Sequence, residues 1–197
     1  MNYKNTILIL GRSELVGNIS SSLLYFNELY PIIAINNINP NINPTYTIFV
    51  DKSQHVVNNI VRNHINTIIL TPLYNSDIIP NDISVEYFTY KPITMNCKEP
   101  YNKNTLYYSG FTHDVAISYA IQQGYKNIIL VGTADFTNVH YDNNTKFNYS
   151  EDYKNCSINF IENVCSKWAN IYTMNKNSLL NVQRITPNEL IESYKIW

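Results

Sequence analysis

Cationic charge is scarce in this chain of 197 residues: 14 Lys and Arg stand against 15 Asp and Glu, and only three of the 14 are arginine. That balance leaves no cationic stripe of the kind that phosphate-backbone binding requires, so nucleic acid is not an expected partner. Cysteine is scarce as well. Cys97, Cys156 and Cys165 are an odd number at spacings that match neither a disulfide framework nor a zinc ribbon, which points to a reducing compartment. No window approaches the ~20 apolar residues that a membrane span needs. The apolar run Thr6–Leu10 is too short for a signal-peptide core and ends in Gly11-Arg12-Ser13 rather than a cleavage site. A cytoplasmic protein without a transmembrane segment is expected. Neither a GxGxxG nor a Walker A sequence is present, and no two histidines stand at a metal-ligand spacing, so no cofactor and no metal is expected.

What is there fits one domain. At this length folding buries roughly 70% of the surface that the unfolded chain exposes, enough for a core that needs no staple. Apolar residues make up 45% of the chain, and aromatics are plentiful, with 17 Tyr. The abundance of Asn, Ile and Tyr reads as the coding bias of an AT-rich genome rather than as chemistry.

The most informative pattern is a series of short, unalternating apolar runs, each followed by Gly, Asn, Asp, Ser or Pro and then by a helical stretch. Strands buried on both faces read this way. The runs are Thr6–Leu10, Ile32–Ile35, Tyr46–Val50, Thr67–Leu70, Ile128–Val131 and Asn170–Met174, with an extra strand at Ser84–Tyr90. Helices are expected at Leu15–Phe26, Val56–Asn63, Thr112–Gln123, Tyr153–Ala169 and Pro187–Tyr194. Within the third, Val115, Ala116, Tyr119 and Ala120 form a stripe, and Gly124 stands where a left-handed cap belongs. Asn75 to Tyr108, rich in Pro and Asn, reads as a partial strand or a lid. Helix alternating with strand requires crossover connections, hence a single α/β domain over 1–197. Its sheet is Rossmann-like and mostly parallel, with helices on both faces.

In such sheets ligands sit beyond the carboxyl ends of the strands. Gly11-Arg12-Ser13-Glu14-Leu15 follows the first strand and opens a helix, where a small residue lets backbone amides approach a phosphate. A tight turn capped by Ser13 is an equally good reading. Asn36 and Asn37 end the second strand and Asp51 the third; they suit a base or ribose, or simple Asx turns. Of the four histidines, His55, His64, His113 and His140, the third could face the rim from the first turn of its helix. The loop that begins Gly132-Thr133-Ala134-Asp135-Phe136 goes on through Thr137, His140, Tyr141, Phe147 and Tyr149. An acid, a histidine and several phenols past a buried strand make it the best candidate for chemistry, or for a lid over 137–152.

These motifs resemble the bacterial sialyltransferases of glycosyltransferase family 42 and, more distantly, pterin-pyrophosphokinase-like domains. The sharpest likeness runs from Ser109-Gly110 through Gly124-Tyr125-Lys126 to Gly132 and Asp135-Phe136, where the family has Ser-Gly, a helix ending Leu-Gly-Tyr-Lys, a strand and Gly-x-Asp-Phe-Tyr. Asn177-Ser178-Leu179-Leu180 resembles the family's Pro-Asn-Ser-Leu-Leu. The resemblance implies a metal-independent, inverting transferase that moves a sialic-acid-like sugar from a CMP-linked donor to a glycan or other hydroxyl acceptor. Gly11, Arg12, Ser13, Asn36, Asp51, Ser109, Gly110 and Asp135 would then hold the donor. Many relatives are tetramers, which leaves a homo-oligomer open here.

Two departures shape the catalytic assignment. The family's tyrosines on the leaving phosphate are matched by Thr137 and, further on, Tyr141. Its general-base histidine falls at Tyr149. A phenol with an ordinary pKa near 10 costs about 4 kcal/mol to ionise at pH 7, whereas an imidazole near 6.5 costs almost nothing. The base is therefore His140 or Tyr149, with Tyr141 on the phosphate. Two further readings stand beside this one: a non-catalytic nucleotide-binding or virion assembly protein on a retired transferase fold, and a magnesium-dependent pyrophosphoryl transferase using Asp51 and Asp135.

Overall fold

The computed structural model describes residues 5–11, 14–36, 42–63, 67–94, 96–103, 105–134, 136 and 150–195. The apolar runs become strands β1 (Thr6–Leu10), β2 (Ile32–Ile35), β3 (Tyr46–Ile48), β4 (Ile68–Pro72), β5 (Val85–Pro92), β8 (Asn127–Val131) and β9 (Asn170–Thr173). Three strands escaped the sequence reading: β6 (Tyr101–Asn102), β7 (Thr105–Tyr108) and β10 (Gln183–Arg184). The Asn- and Pro-rich segment 75–108 thus carries three strands, β5, β6 and β7, rather than one partial strand. Helices α1 (Glu14–Asn18) and α2 (Ser20–Leu29) replace the single helix expected after β1; α3 (Gln54–Asn63), α4 (Thr112–Gln122), α5 (Glu151–Asn159) and α6 (Pro187–Lys195) follow. The long helix expected over Tyr153–Ala169 is α only to Asn159, then π over Phe160–Val164 and 3₁₀ over Cys165–Lys167.

Among the described residues the sheet has ten strands in the order β10-β9-β8-β1-β2-β3-β4-β5-β7-β6, and every pairing is parallel except β6 with β7. Side chains alternate between faces along a strand, and both faces of the central strands are buried. Ile7, Ile9, Ile33 and Ile35 pack with α4 and with Phe160 and Ile161, whereas Leu8, Leu10, Ile32 and Ala34 pack with Val16, Leu23, Phe26 and Leu190. Helix α3 covers Phe49 and Ile69 with Val57 and Ile60 on the same side as the second group. The result is a three-layer Rossmann-like α/β domain. The expected α4 stripe is buried, but so is the rest of His113–Ile121, because α5 and the turns after it cover the outer side of α4.

All three cysteines are free thiols. Among the described residues no helix is long and apolar enough to cross a membrane.

Gly124 adopts φ +88 at the end of α4, the left-handed cap that the sequence called for. Gly17 lies inside α1, where an added Cβ would meet nothing. Gly124→Ala should therefore destabilise the protein by about 1 kcal/mol, while Gly17→Ala should stabilise it by about 0.5–1 kcal/mol. Urea unfolding midpoints of the two variants check the opposite signs.

Candidate functional site

Because β1 to β4, β5 and β7 to β9 run in one direction, the segments that leave them emerge along one rim. The strand order reverses at β1, which lies between β2 and β8, and ligand crevices in open α/β sheets form at such a reversal. Here Gly11 N–H donates to Val131 O at 2.9 Å. A Cβ on Gly11 would lie 2.3 Å from Gly132 O and 2.6 Å from Thr133 Cβ. The turn after β1 can therefore cross the turn after β8 only as glycine, which leaves backbone rather than side chain where the two meet.

The rim also collects backbone in the left-handed region. Asn36 has φ 57, Gly110 108, Gly132 62, Ala134 54 and Phe136 53, each just past the carboxyl end of a strand. Non-glycine residues adopt this conformation at a cost of about 1–3 kcal/mol each, and such residues concentrate at ligand sites. Asn36 is fixed by its N–H to Ile48 O at 2.8 Å. An aromatic knot ties two of the rim segments together: Phe111 stacks on His113 at 5.0 Å, and Phe136 meets both rings edge-on at 5.5 Å.

Beneath Ser109 and Gly110 lies a buried polar network that the sequence reading missed. Asp114, in the first turn of α4, is fully buried, and its carboxylate accepts from the Ser109 hydroxyl, from Ser109 N–H at 3.2 Å and from the Ser157 hydroxyl at 2.6 Å. Ser157 Oγ in turn lies 3.0 Å from His113 Nε2. Burial raises Asp114 to about 6, and the bonds from Ser109 and Ser157 oppose it without prevailing. At neutral pH the group is still ionised. Burial drives His113 down to about 3, so its ring is neutral, and the 3.6 Å approach of Nε2 to Asp114 is not an ion pair. Since Ser157 donates its proton to Asp114, the network assigns the ring proton of His113 to Nε2, donating to Ser157. His113 therefore faces inward to α5, not out to the rim as its helical position allowed.

The consequence for Ser109 is chemical. Both its N–H and its O–H are taken by Asp114, so toward a ligand Oγ can only accept. The side chain is buried at 7% exposure, while Gly110 beside it is exposed. Asp51 is exposed beyond β3, and Asn36 is half-buried beyond β2. Arg12, Ser13, Asp135, His140, Tyr141 and Tyr149 lie outside the described residues, as does 137–149 of the lid expected over 137–152, whose last two residues, Glu151 and Asp152, instead begin α5. The structure thus brings Gly11, Asn36, Asp51, Ser109 and Gly110 to one rim, but turns the Ser109 hydroxyl inward.

Another concavity, of about 190 Å³, lies between β4, β5 and α4, lined by Leu70, Glu86, Phe88, Tyr119, Gln122 and Gln123. It reaches the last turn of α4, toward the end opposite the rim. Tyr119 donates to Glu86 across it at 2.8 Å. It carries neither strand-end backbone nor left-handed residues, which is why the rim is the stronger candidate.

Comparison with solved structures bears on the fold that forms this rim. The Maf glycosyltransferase of Magnetospirillum magneticum AMB-1 superposes with a TM-score of 0.60 over 97% of this chain, at 11% sequence identity. The monofunctional α-2,3-sialyltransferase Cst-I of Campylobacter jejuni superposes with a TM-score of 0.51 over 91% of this chain and 80% of its own, at 13% identity. The chain has the fold of these glycosyltransferases. It spans 36% of the Magnetospirillum protein. No protein-family model matches the sequence, and no curated protein does.

Two tests follow from the geometry. Gly11→Ala should cost about 1–3 kcal/mol of stability by overpacking the β1–β8 crossing, read as a lower urea midpoint. The second concerns pH. Asp114 is raised from 3.8 to about 6, so the stability it contributes is full below pH 3.8 and lost as pH rises through about 6. His113 is lowered from 6.5 to about 3, so its contribution is full above pH 6.5 and lost as pH falls. Between pH 3.8 and about 6 the two slopes oppose each other. Relative to wild type over that window, Asp114→Asn should gain stability as pH rises and His113→Gln should lose it, each by about 2–3 kcal/mol. Denaturation curves that stay parallel to wild type in both variants would contradict the network.

Proposed function

We propose that this protein is a glycosyltransferase-like enzyme that transfers a sialic-acid-like sugar from a CMP-linked donor to a hydroxyl acceptor, inverting at the anomeric carbon and without a metal. The observation that carries the reading is the common rim: Gly11, Asn36, Asp51 and Ser109-Gly110 follow four parallel strands in a fold shared with two glycosyltransferases, one of them a sialyltransferase. In this reading the amides of the Gly11-Arg12-Ser13 turn approach the phosphate of the donor. Asn36 and Asp51 take the ribose and base. Ser109 Oγ, restricted to accepting, takes a hydroxyl or amino hydrogen of the donor rather than a phosphate oxygen, with Gly110 and Asp135 alongside. The acceptor oxygen attacks the anomeric carbon as the bond to the phosphate oxygen breaks. Tyr141 hydrogen-bonds the departing CMP, and His140 or Tyr149 receives the acceptor's proton.

Calorimetry with CMP, UMP, GMP and ATP, with and without magnesium, tests the class of ligand. CMP should bind without magnesium, and Asp51→Ala should weaken it about tenfold, the loss of one hydrogen bond to a charged group. Preference for ATP with a magnesium requirement would instead support pyrophosphoryl transfer. His140→Ala should abolish sugar transfer and leave CMP affinity nearly unchanged. Transfer that survives both that change and Tyr149→Phe would show the base to be wrongly assigned, and CMP binding without any transfer would support the non-catalytic reading.

A further inference from the structure

Four phenols converge at one end of the rim from four separate segments. Tyr74 belongs to the 3₁₀ turn Leu73–Ile78 after β4, Tyr90 to β5, Tyr108 to the end of β7 and Tyr153 to the first turn of α5. Tyr90 stands between Tyr74, at 6.5 Å, and Tyr108, at 5.2 Å, each pair edge to face. Tyr153 continues the arc, since its ring lies 3.4 Å from where a Cβ on Gly110 would be. Tyr90 and Tyr108 are half-buried, whereas Tyr153 is 59% and Tyr74 49% exposed, beside Leu73 at 60%. Tyrosines that served only as core would not present these surfaces together.

The arc is held in place from below. Tyr74 O–H donates to Val50 O at 2.5 Å, and Asn75, fully buried, donates to the same carbonyl at 3.2 Å and to Thr71 Oγ1 at 2.8 Å. The turn that carries Tyr74 is thereby pinned to the end of β3, next to Asp51. Burial, then Tyr90 and the charge of Asp51, raises Tyr74 well above the usual phenol range. Burial, with Asp51, Tyr90, Asp114 and Tyr153, pushes Tyr108 up to about 12. Both phenols stay protonated; the Tyr74 proton is committed to Val50 O, so toward a ligand its oxygen accepts, while Tyr108 keeps its proton for donation. The neighbouring cation does not offset Asp51, because Lys52 is paired with Asp77 at 2.5 Å.

From this arrangement we infer that the Tyr74-Tyr90-Tyr108-Tyr153 arc is a binding shelf for a neutral sugar ring, the acceptor of the transferase reading on which the inference rests. Aromatic faces and edges suit the C–H side of a sugar, the phenols suit its hydroxyls, and the neighbouring charge of Asp51 disfavours a carboxylate or phosphate. Its position fits an acceptor, because Tyr108 leads directly into Ser109-Gly110.

Saturation-transfer NMR on the full chain, without nucleotide, tests the shelf. The probes are the methyl glycosides of glucose, galactose, mannose, N-acetylglucosamine and N-acetylgalactosamine, set against sialic acid and glucuronic acid. At least one neutral glycoside should receive saturation, and Tyr74→Ala and Tyr153→Ala, both at exposed positions, should each reduce it about fivefold or more. CMP affinity of Tyr74→Ala, measured by calorimetry, should match wild type. No transfer to any neutral glycoside, transfer to the acidic sugars alone, or signals unchanged in both variants would overturn the shelf. Neutral-sugar saturation together with an absence of CMP binding would instead retain the shelf and remove the donor assignment.

Discussion

The parallel register of β8, β1, β2 and β3 is the constraint on which the candidate site depends. Strands that share a direction deliver their following loops to one side, and the order reverses at β1, between β2 and β8, the place where ligands sit in open α/β sheets. The turns after β1 and β8 cross closely there only because Gly11 has no Cβ to strike Gly132 O and Thr133. Burial of the central strands on both faces then gives the rim its rigidity, since Ile7 through Leu10 cannot shift without disturbing the packed layers on either side.

Asp114 adds a second level of organisation. Desolvation makes an ionised buried carboxylate costly, and three donors from two serines keep it in place. The network joins the loop after β7 to α4 and, through Asp114, to α5, so the Ser109-Gly110 segment is tied to both helices. The aromatic knot of Phe111, His113 and Phe136 joins the same helix start to the loop after β8. The rim loops and the tyrosine arc therefore belong to one connected framework rather than to independent surface turns.

Much of this was legible in the sequence where a single physical signal dominated. Ile32–Ile35 and Thr6–Leu10 are unbroken apolar runs, and both strands emerge with those boundaries. Gly124 ended its helix as read, because only a left-handed cap explains a glycine between an apolar helix and an apolar strand. The two-residue strands β6 and β10 are too short to show any period, and β7 was hidden inside a polar, Pro-containing stretch. Nothing in the periodicity of 153–169 marks the π turn at Phe160–Val164. Asp114 drew no reading from the sequence. Its signal was the trio His113, Asp114 and Ser118 inside an otherwise apolar helix, and it lacked the partner Ser157, 43 residues away. The tyrosine arc was masked by the sheer number of tyrosines, since only the fold selects four of 17.

Amide chemical-shift mapping with unlabelled CMP is the most direct measurement of the central claim. The rim account predicts that perturbations concentrate at Gly11, Asn36, Asp51, Ser109, Gly110 and Gly132, after different strands but along one edge. Shifts clustered instead at Glu86, Gln122 and Gln123, around the concavity at the other end of α4, would contradict it.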